Sequence, residues 1–185
     1  KTLGEMVAFA NTKGGTLLLG VADDGTLAGL KHPEDESHVI RKALKKCSPH
    51  LPVSEDFIPI GNTRAIIRYV IKSSDAKPHY QLNGKSREAF VRVNDQSIRA
   101  SREMLEIARR SRRKKDIRFH YGEHEKFLME YLDAHDAITL KKFTELSGLK
   151  TFYASRKLVL LVLANVLRMT PHEKGDQYSL AFGWE

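Results

Sequence analysis

The sequence contains one cysteine, one tryptophan and no long hydrophobic run. The single Cys47 excludes an internal disulfide framework and a zinc site built from several cysteines, so we expect a protein of the reducing cytoplasm. The longest apolar run, residues 158–164, is far shorter than the roughly 18 residues that a membrane-spanning helix needs. No signal peptide is visible, and because the chain begins at Lys1 without a methionine, we expect an upstream segment to be missing.

The sequence does have a globular composition with an excess of positive charge. Its 185 residues are 41% hydrophobic and 29% charged, which excludes wholesale disorder and allows one large domain or two small ones. Lys and Arg number 31 against 23 Asp and Glu, a net charge of +8. This balance indicates an anionic partner. Nucleic acid is favoured over a membrane surface, because no long apolar face accompanies the charge.

Most of the charge lies in one short segment, residues 109–122, which we interpret as a basic linker. It carries seven basic residues and one acidic residue, whereas residues 1–108 carry 16 and 13, and residues 123–185 carry eight and nine. The densest part consists of Arg109, Arg110, Arg112, Arg113, Lys114 and Lys115. Such a run attracts a phosphate backbone without sequence preference, although a solvated helix end would have the same composition.

Residues 1–108 mix helical and strand patterns and predict an α+β domain with a mixed sheet and about three helices. The predicted strands cover residues 16–21, 26–30, 53–60, 64–71 and 88–93. A helix beginning at Pro33 is predicted to bury one stripe, formed by Val39, Ile40, Ala43, Leu44 and Cys47. Ser101 is predicted to cap a third helix.

Residues 123–185 predict helices followed by a hairpin. Thr139 can cap a helix that Gly148 ends, a further helix covers residues 151–164, and Asn165 suits its left-handed C-terminus. The strings TLKKFTELSGL, SRKLVLLVLANVLR and EKGDQYSLA resemble the winged helix-turn-helix domains of bacterial regulators. The resemblance covers about 60 residues and implies a hairpin wing at residues 166–182.

The resemblance implies that the helix at residues 151–164 recognises DNA, because its first half is polar and its second half apolar. The residues predicted to contact DNA there and at the wing tip are Lys150, Thr151, Tyr153, Ser155, Arg156, Lys157 and Lys174. Winged helices also serve as dimerisation or protein-contact modules, so this alternative stays open.

The strings EMVAFANTKGGTLLLGVADDGTLAGL and KPHY…AFVRVNDQSIRAS resemble the Schlafen-type AlbA-like domain. The resemblance covers about residues 1–105 and implies an α+β fold, nucleic-acid binding and a possible homodimer. In prokaryotic proteins this domain is often followed by a winged helix, which is the order seen here.

Some eukaryotic members of that family are ribonucleases with three carboxylates, and the resemblance would place the third on Asp24 or Asp23. The other two would lie upstream of Lys1. One carboxylate cannot hold a catalytic metal, and Asp-Asp-Gly is also a common turn. We therefore predict no catalytic residue, no metal site and no cofactor in this chain.

Together these patterns predict a prokaryotic transcriptional regulator. The winged helix would recognise duplex DNA, while the AlbA-like domain and the basic linker contact its backbone. The alternative is a metal-dependent nuclease or a nucleotide-dependent enzyme completed by the missing N-terminal segment. A third hypothesis is a protein–protein adaptor.

Neutralising Arg109, Arg110, Arg112 and Arg113 is expected to lower the nonspecific affinity for DNA and to flatten its salt dependence. The reason is that fewer neutralised phosphates release fewer counterions. Binding to duplex DNA across a series of salt concentrations measures both quantities. If neither changes, the charge is only a solvated helix end.

Overall fold

A computed structural model describes residues 2–112 and 117–181, and the chain forms two compact units, Lys1–Arg99 and Ala100–Glu185. Each unit has its own hydrophobic core. Arg113, Lys114 and Lys115 of the predicted linker, and residue 182 of the predicted wing, lie outside the described residues. Within the described ranges no helix is long and apolar enough to cross a membrane.

The first unit contains two helices and eight strands. They are α1 (Thr2–Asn11), β1 (Gly14–Leu19), α2 (Pro33–Leu44), β2 (Cys47–Ser48), β3 (Val53–Ile60), β4 (Arg64–Lys72), β5 (Tyr80–Asn83), β6 (Ser86–Glu88), β7 (Phe90–Val93) and β8 (Gln96–Arg99). The strands form sheets of order β1-β4-β3, β2-β5-β6 and β7-β8. The predicted α+β character is therefore present.

The core of this unit lies between α1 and the central strand β4. Met6 and Val7 of α1 are fully buried, and they share a cluster with Ile67 and Tyr69 of β4. The Asn11 side chain donates to the carbonyls of His79 and Phe90, each at 3.0 Å, and accepts from the His79 N–H at 2.8 Å. This one side chain therefore fixes the C-terminal end of α1 against two later segments.

The predicted mixed sheet is wrong, because every pairing between described strands is antiparallel. The predicted strand at residues 26–30 is also wrong. That stretch is a loop with a single bridge from Leu30 to Ala65, and Gly29 adopts a left-handed φ of 63°. Its hydrogen bonds are mostly local, such as Ala22 N to Thr26 O at 2.9 Å, so no ladder forms.

The α2 helix begins at Pro33 as predicted, but its buried stripe is narrower than expected. Ile40 is buried, whereas Val39 is 59% exposed. Adjacent helical residues point about 100° apart, so only one of the two can face β4. Cys47 is buried as predicted, although it lies in β2 beyond the helix, and burial raises the pKa of its thiol to about 11.

The described residues of the second unit form four helices and a small antiparallel sheet. Its elements are α3 (Arg102–Ser111), α4 (Glu123–Ala134), β9 (Ile138–Thr139), α5 (Leu140–Ser147), α6 (Thr151–Leu163), β10 (Leu167–Thr170) and β11 (Gln177–Leu180). The sheet has the order β10-β11-β9. The boundary predicted at residue 108 falls within α3, which belongs to this second unit.

Local signals set the ends of these helices as expected. The Thr139 hydroxyl accepts from the Lys142 N–H at 3.2 Å and caps α5. Gly148 ends α5 with a φ of 67°, and Asn165 follows α6 with a φ of 61°. The core then forms from the apolar faces, with Leu128, Phe143, Ala154 and Leu158 fully buried, a list that spans α4, α5 and α6.

We expect Phe143→Ala to destabilise the second unit by about 3–5 kcal/mol, because it removes a fully buried ring from the centre of that core. The first unit shares no core residue with it, so its protection against hydrogen exchange should be unchanged. Native-state hydrogen exchange measures both units in one sample. Phe57→Ala, at a ring that is 40% exposed, is the control. Equal loss of protection in both units would contradict the prediction.

Candidate nucleic-acid interface

Helix α3 packs along the first half of α6 through polar contacts at its N-terminus. The Ser101 hydroxyl caps α3 by accepting from the Met104 N–H at 3.1 Å. Two residues later, the Glu103 carboxylate accepts from the Ser155 hydroxyl at 2.5 Å. The Ser155–Glu103 hydrogen bond ties the N-terminal end of α3 to α6.

A groove of about 640 Å³ lies between α3 and α6. Four arginines line it: Arg102, Arg109, Arg110 and Arg156. Arg109 forms an ion pair with Glu106 at 3.3 Å. Within the described ranges, the other three guanidinium groups form no hydrogen bond or ion pair. The groove is therefore a basic surface with uncommitted donors.

The groove brings together several residues that the sequence predicted as nucleic-acid contacts. They are Arg109, Arg110, Thr151, Ser155 and Arg156. Lys150 precedes α6 directly and is exposed, and Tyr153, in the first turn of α6, is 55% exposed. Residues from the predicted linker and from the predicted recognition helix thus share one surface.

Other predicted contacts lie elsewhere or are engaged within the protein. Lys157 forms an ion pair with Glu125, whose side chain is only 5% exposed. Lys174 is exposed in the turn before β11, and its backbone N–H donates to His172 Nδ1 at 3.2 Å. Arg112 directly follows α3 and is exposed. Arg113, Lys114 and Lys115 are not among the described residues.

The Glu125–Lys157 ion pair holds the start of α4 against α6. Burial by itself raises the pKa of the Glu125 carboxyl. The Lys157 ammonium and the Gly122 N–H, which donates at 3.0 Å, outweigh burial and bring the pKa below its usual range. The carboxylate is therefore charged at neutral pH. Lys157 neutralises it, so this lysine adds little net charge to the surface.

Arg102 and Phe152 are among the groove residues that were not predicted from the sequence. Arg102 lies in the first turn of α3, seven positions before Arg109, so two helical turns place both on one face. The spacing of Arg102 and Arg109 therefore predicts a basic face on α3. Phe152 is 57% exposed next to Tyr153, and two adjacent aromatics cannot both join a core stripe that runs through Ala154 and Leu158.

In the first unit, Asp23 and Asp24 lie in the exposed loop after β1. Asp24 Oδ1 accepts from the Thr26 N–H at 2.9 Å, and this bond lowers the pKa of Asp24. The Asp24 carboxylate therefore stabilises the local turn through this hydrogen bond. Among residues 2–112 and 117–181, no three His, Cys, Asp or Glu side chains are placed to hold a metal ion.

Residues 1–101 match the family described as Schlafen, AlbA_2. The chain belongs to this family. The AlbA_2 match and the first compact unit end within two residues of each other, so the family assignment covers one structural unit. The Schlafen AlbA_2 family indicates a nucleic-acid-binding domain. No curated protein and no solved structure matches the chain.

Lys157→Met is expected to lower the free energy of unfolding by about 1–3 kcal/mol at pH 7, because it leaves the buried Glu125 carboxylate without its cation. Since the folded-state pKa of Glu125 is lowered, the stability from this pair is present above its ordinary pKa and is lost as pH falls through the lowered value. The difference between wild type and variant should therefore shrink below about pH 4.5. Urea denaturation across this pH range measures the change.

Lys126→Met is the matched control, because Lys126 pairs with Glu130 at 3.8 Å on the exposed face of α4, the helix that also carries Glu125. Exposed pairs of this kind contribute about 0–0.5 kcal/mol. Equal effects of the two substitutions would contradict a special role for the Glu125–Lys157 pair.

Proposed function

We propose that this Schlafen AlbA_2 protein is a prokaryotic DNA-binding regulator of transcription that docks on duplex DNA through its second unit. The observation that carries this proposal is the convergence of Arg102, Arg110 and Arg156 on one groove beside the first turns of α6. Each of these guanidinium groups lacks a partner among the described residues. A phosphate backbone supplies the anions that such a surface attracts.

The order of elements supports a winged helix as the docking module. A helix, a short strand, two helices separated by a left-handed glycine and a terminal hairpin follow one another from α4 to β11. In that arrangement α6 is the recognition helix, and the hairpin β10–β11 is the wing that carries Lys174. The first turns of α6 present Lys150, Thr151 and Arg156 to the outside.

The AlbA_2 unit would supply backbone contacts or homodimerisation. The protein–protein adaptor remains an alternative for the same surface. Asp24, the carboxylate that the nuclease alternative would use, accepts a backbone hydrogen bond from Thr26 in its own turn.

Arg156→Gln is expected to weaken duplex DNA binding about three- to tenfold and to reduce the salt slope by about one, as for a lost phosphate contact. Fluorescence anisotropy with a labelled duplex, repeated over several salt concentrations, measures both. Arg68→Gln removes the same charge from the first unit at a residue that is 3.1 Å from Asp56, and it should change neither quantity appreciably.

An equal loss with both variants would mean that only the net charge matters, and it would overturn the docking assignment for α6. Absence of duplex binding by the wild type at low salt would overturn the proposed function itself.

A further inference from the structure

The outward face of α6 is aromatic as well as basic. Phe152 and Tyr153 are 57% and 55% exposed, and Arg156 lies one turn further along the helix. Opposite them, Ala154, Leu158 and Leu161 point into the core. The two aromatic rings are therefore excess apolar surface that the fold does not use.

A second set of exposed aromatics lies beside this face. Residues 117–122 precede α4, and they carry Phe119 and Tyr121 at 37% and 57% exposure. A cavity of about 290 Å³ separates this segment from α6, and its lining includes Phe119, His120, Tyr153, Arg156 and Leu160. An aromatic side chain thus faces the cavity from each of its two borders.

The Phe152 and Tyr153 rings do not cover each other. Their centroids are 5.5 Å apart and the rings meet edge to face at 79°. Such a contact covers at most one of the four ring faces, so the pair remains open to a planar ligand. Arg156 adds a planar cation that lines both this cavity and the groove beside α3.

We propose that this face binds unpaired nucleobases of a single-stranded nucleic acid, with a base stacked on Tyr153 in the cavity shared with Phe119 and the adjoining phosphates held by Arg156. The proposal rests on the proposed function and adds a substrate class to the same surface. Aromatic side chains next to a basic groove are the features that bind single strands without sequence preference.

Charge complementarity selects a nucleic acid as the occupant. The cations around the face include Lys150, Arg110 and Arg156. Of the nearby acids, Glu125 pairs with Lys157 and Glu106 pairs with Arg109, while Glu103 accepts from the Ser155 hydroxyl. A duplex satisfies the charge but gives the ring faces no stacking partner, because the base faces inside a duplex are already stacked. Only an unpaired base offers a free face.

The test compares three probes in fluorescence anisotropy: a short oligothymidylate, an abasic strand of the same length, and a duplex. Tyr153→Leu should weaken oligothymidylate binding about tenfold, the effect of losing one stacked base, and change binding of the abasic strand less than about twofold. Its effect on the duplex should be several-fold smaller than its effect on oligothymidylate, because a duplex has no unpaired base to stack on the ring. Phe119→Leu should act in the same direction. Phe57→Leu, at an exposed ring of the first unit, should have no effect.

Two other outcomes would contradict the stacking site. An equal loss on the abasic strand, or displacement of oligothymidylate by polyglutamate as effective as by unlabelled strand, would show that only charge binds there and would overturn the stacking site. An equal loss on the duplex would place Tyr153 in the duplex interface, leaving the proposed function intact and this inference wrong. Tyr153→Leu and Phe119→Leu alter exposed rings, so both variants should unfold at the wild-type temperature. Unchanged thermal unfolding then shows that a loss of binding is not caused by misfolding.

Discussion

The contact between α3 and α6 determines which surface the second unit offers to a partner. No residue of α3 is fully buried, and the Glu103 carboxylate near its N-terminus accepts from the Ser155 hydroxyl of α6 at 2.5 Å. Burial raises the pKa of Asp176 and the nearby Glu103 raises it further, while the Ser101 hydroxyl and a backbone N–H oppose both. Phe152, Ser155 and Arg156 of α6 line the groove beside α3, whereas Lys150 and Tyr153 are exposed.

This contact also changes the interpretation of the positive charge. From the sequence, most of the net charge belonged to a connector at residues 109–122. In the structure Arg109 and Arg110 form the last turn of α3, so they are part of a folded unit. Counted by compact unit, the first has 15 basic and 11 acidic residues and the second has 16 and 12, a net +4 each. The placement of the charge therefore says more about binding than its amount.

The features that could be predicted from the sequence are those decided by near neighbours. Thr139 caps α5 by accepting from the N–H three positions later. Gly148 and Asn165 follow helix ends and need only a left-handed backbone conformation of their own. The features that could not be predicted join distant positions. Ser155 and Glu103 are 52 residues apart and Lys157 and Glu125 are 32 apart, and no local pattern pairs them. Ser155 and Lys157 were therefore predicted as nucleic-acid contacts, although both side chains already bond to carboxylates within the protein.

The two units differ in how many of their arginines are available to bind nucleic acid. Every arginine of the first unit has a contact within the protein, namely Arg41, Arg64, Arg68, Arg87, Arg92 and Arg99. To hold a phosphate, each would give up or share that contact, which reduces the net gain. The second unit has uncommitted guanidinium groups at Arg102, Arg110 and Arg156 within its described residues. Membership of a nucleic-acid-binding family rests on the first unit, yet the arginines available without rearrangement lie in the second, so the two units are expected to contribute unequally to the initial encounter with a polyanion.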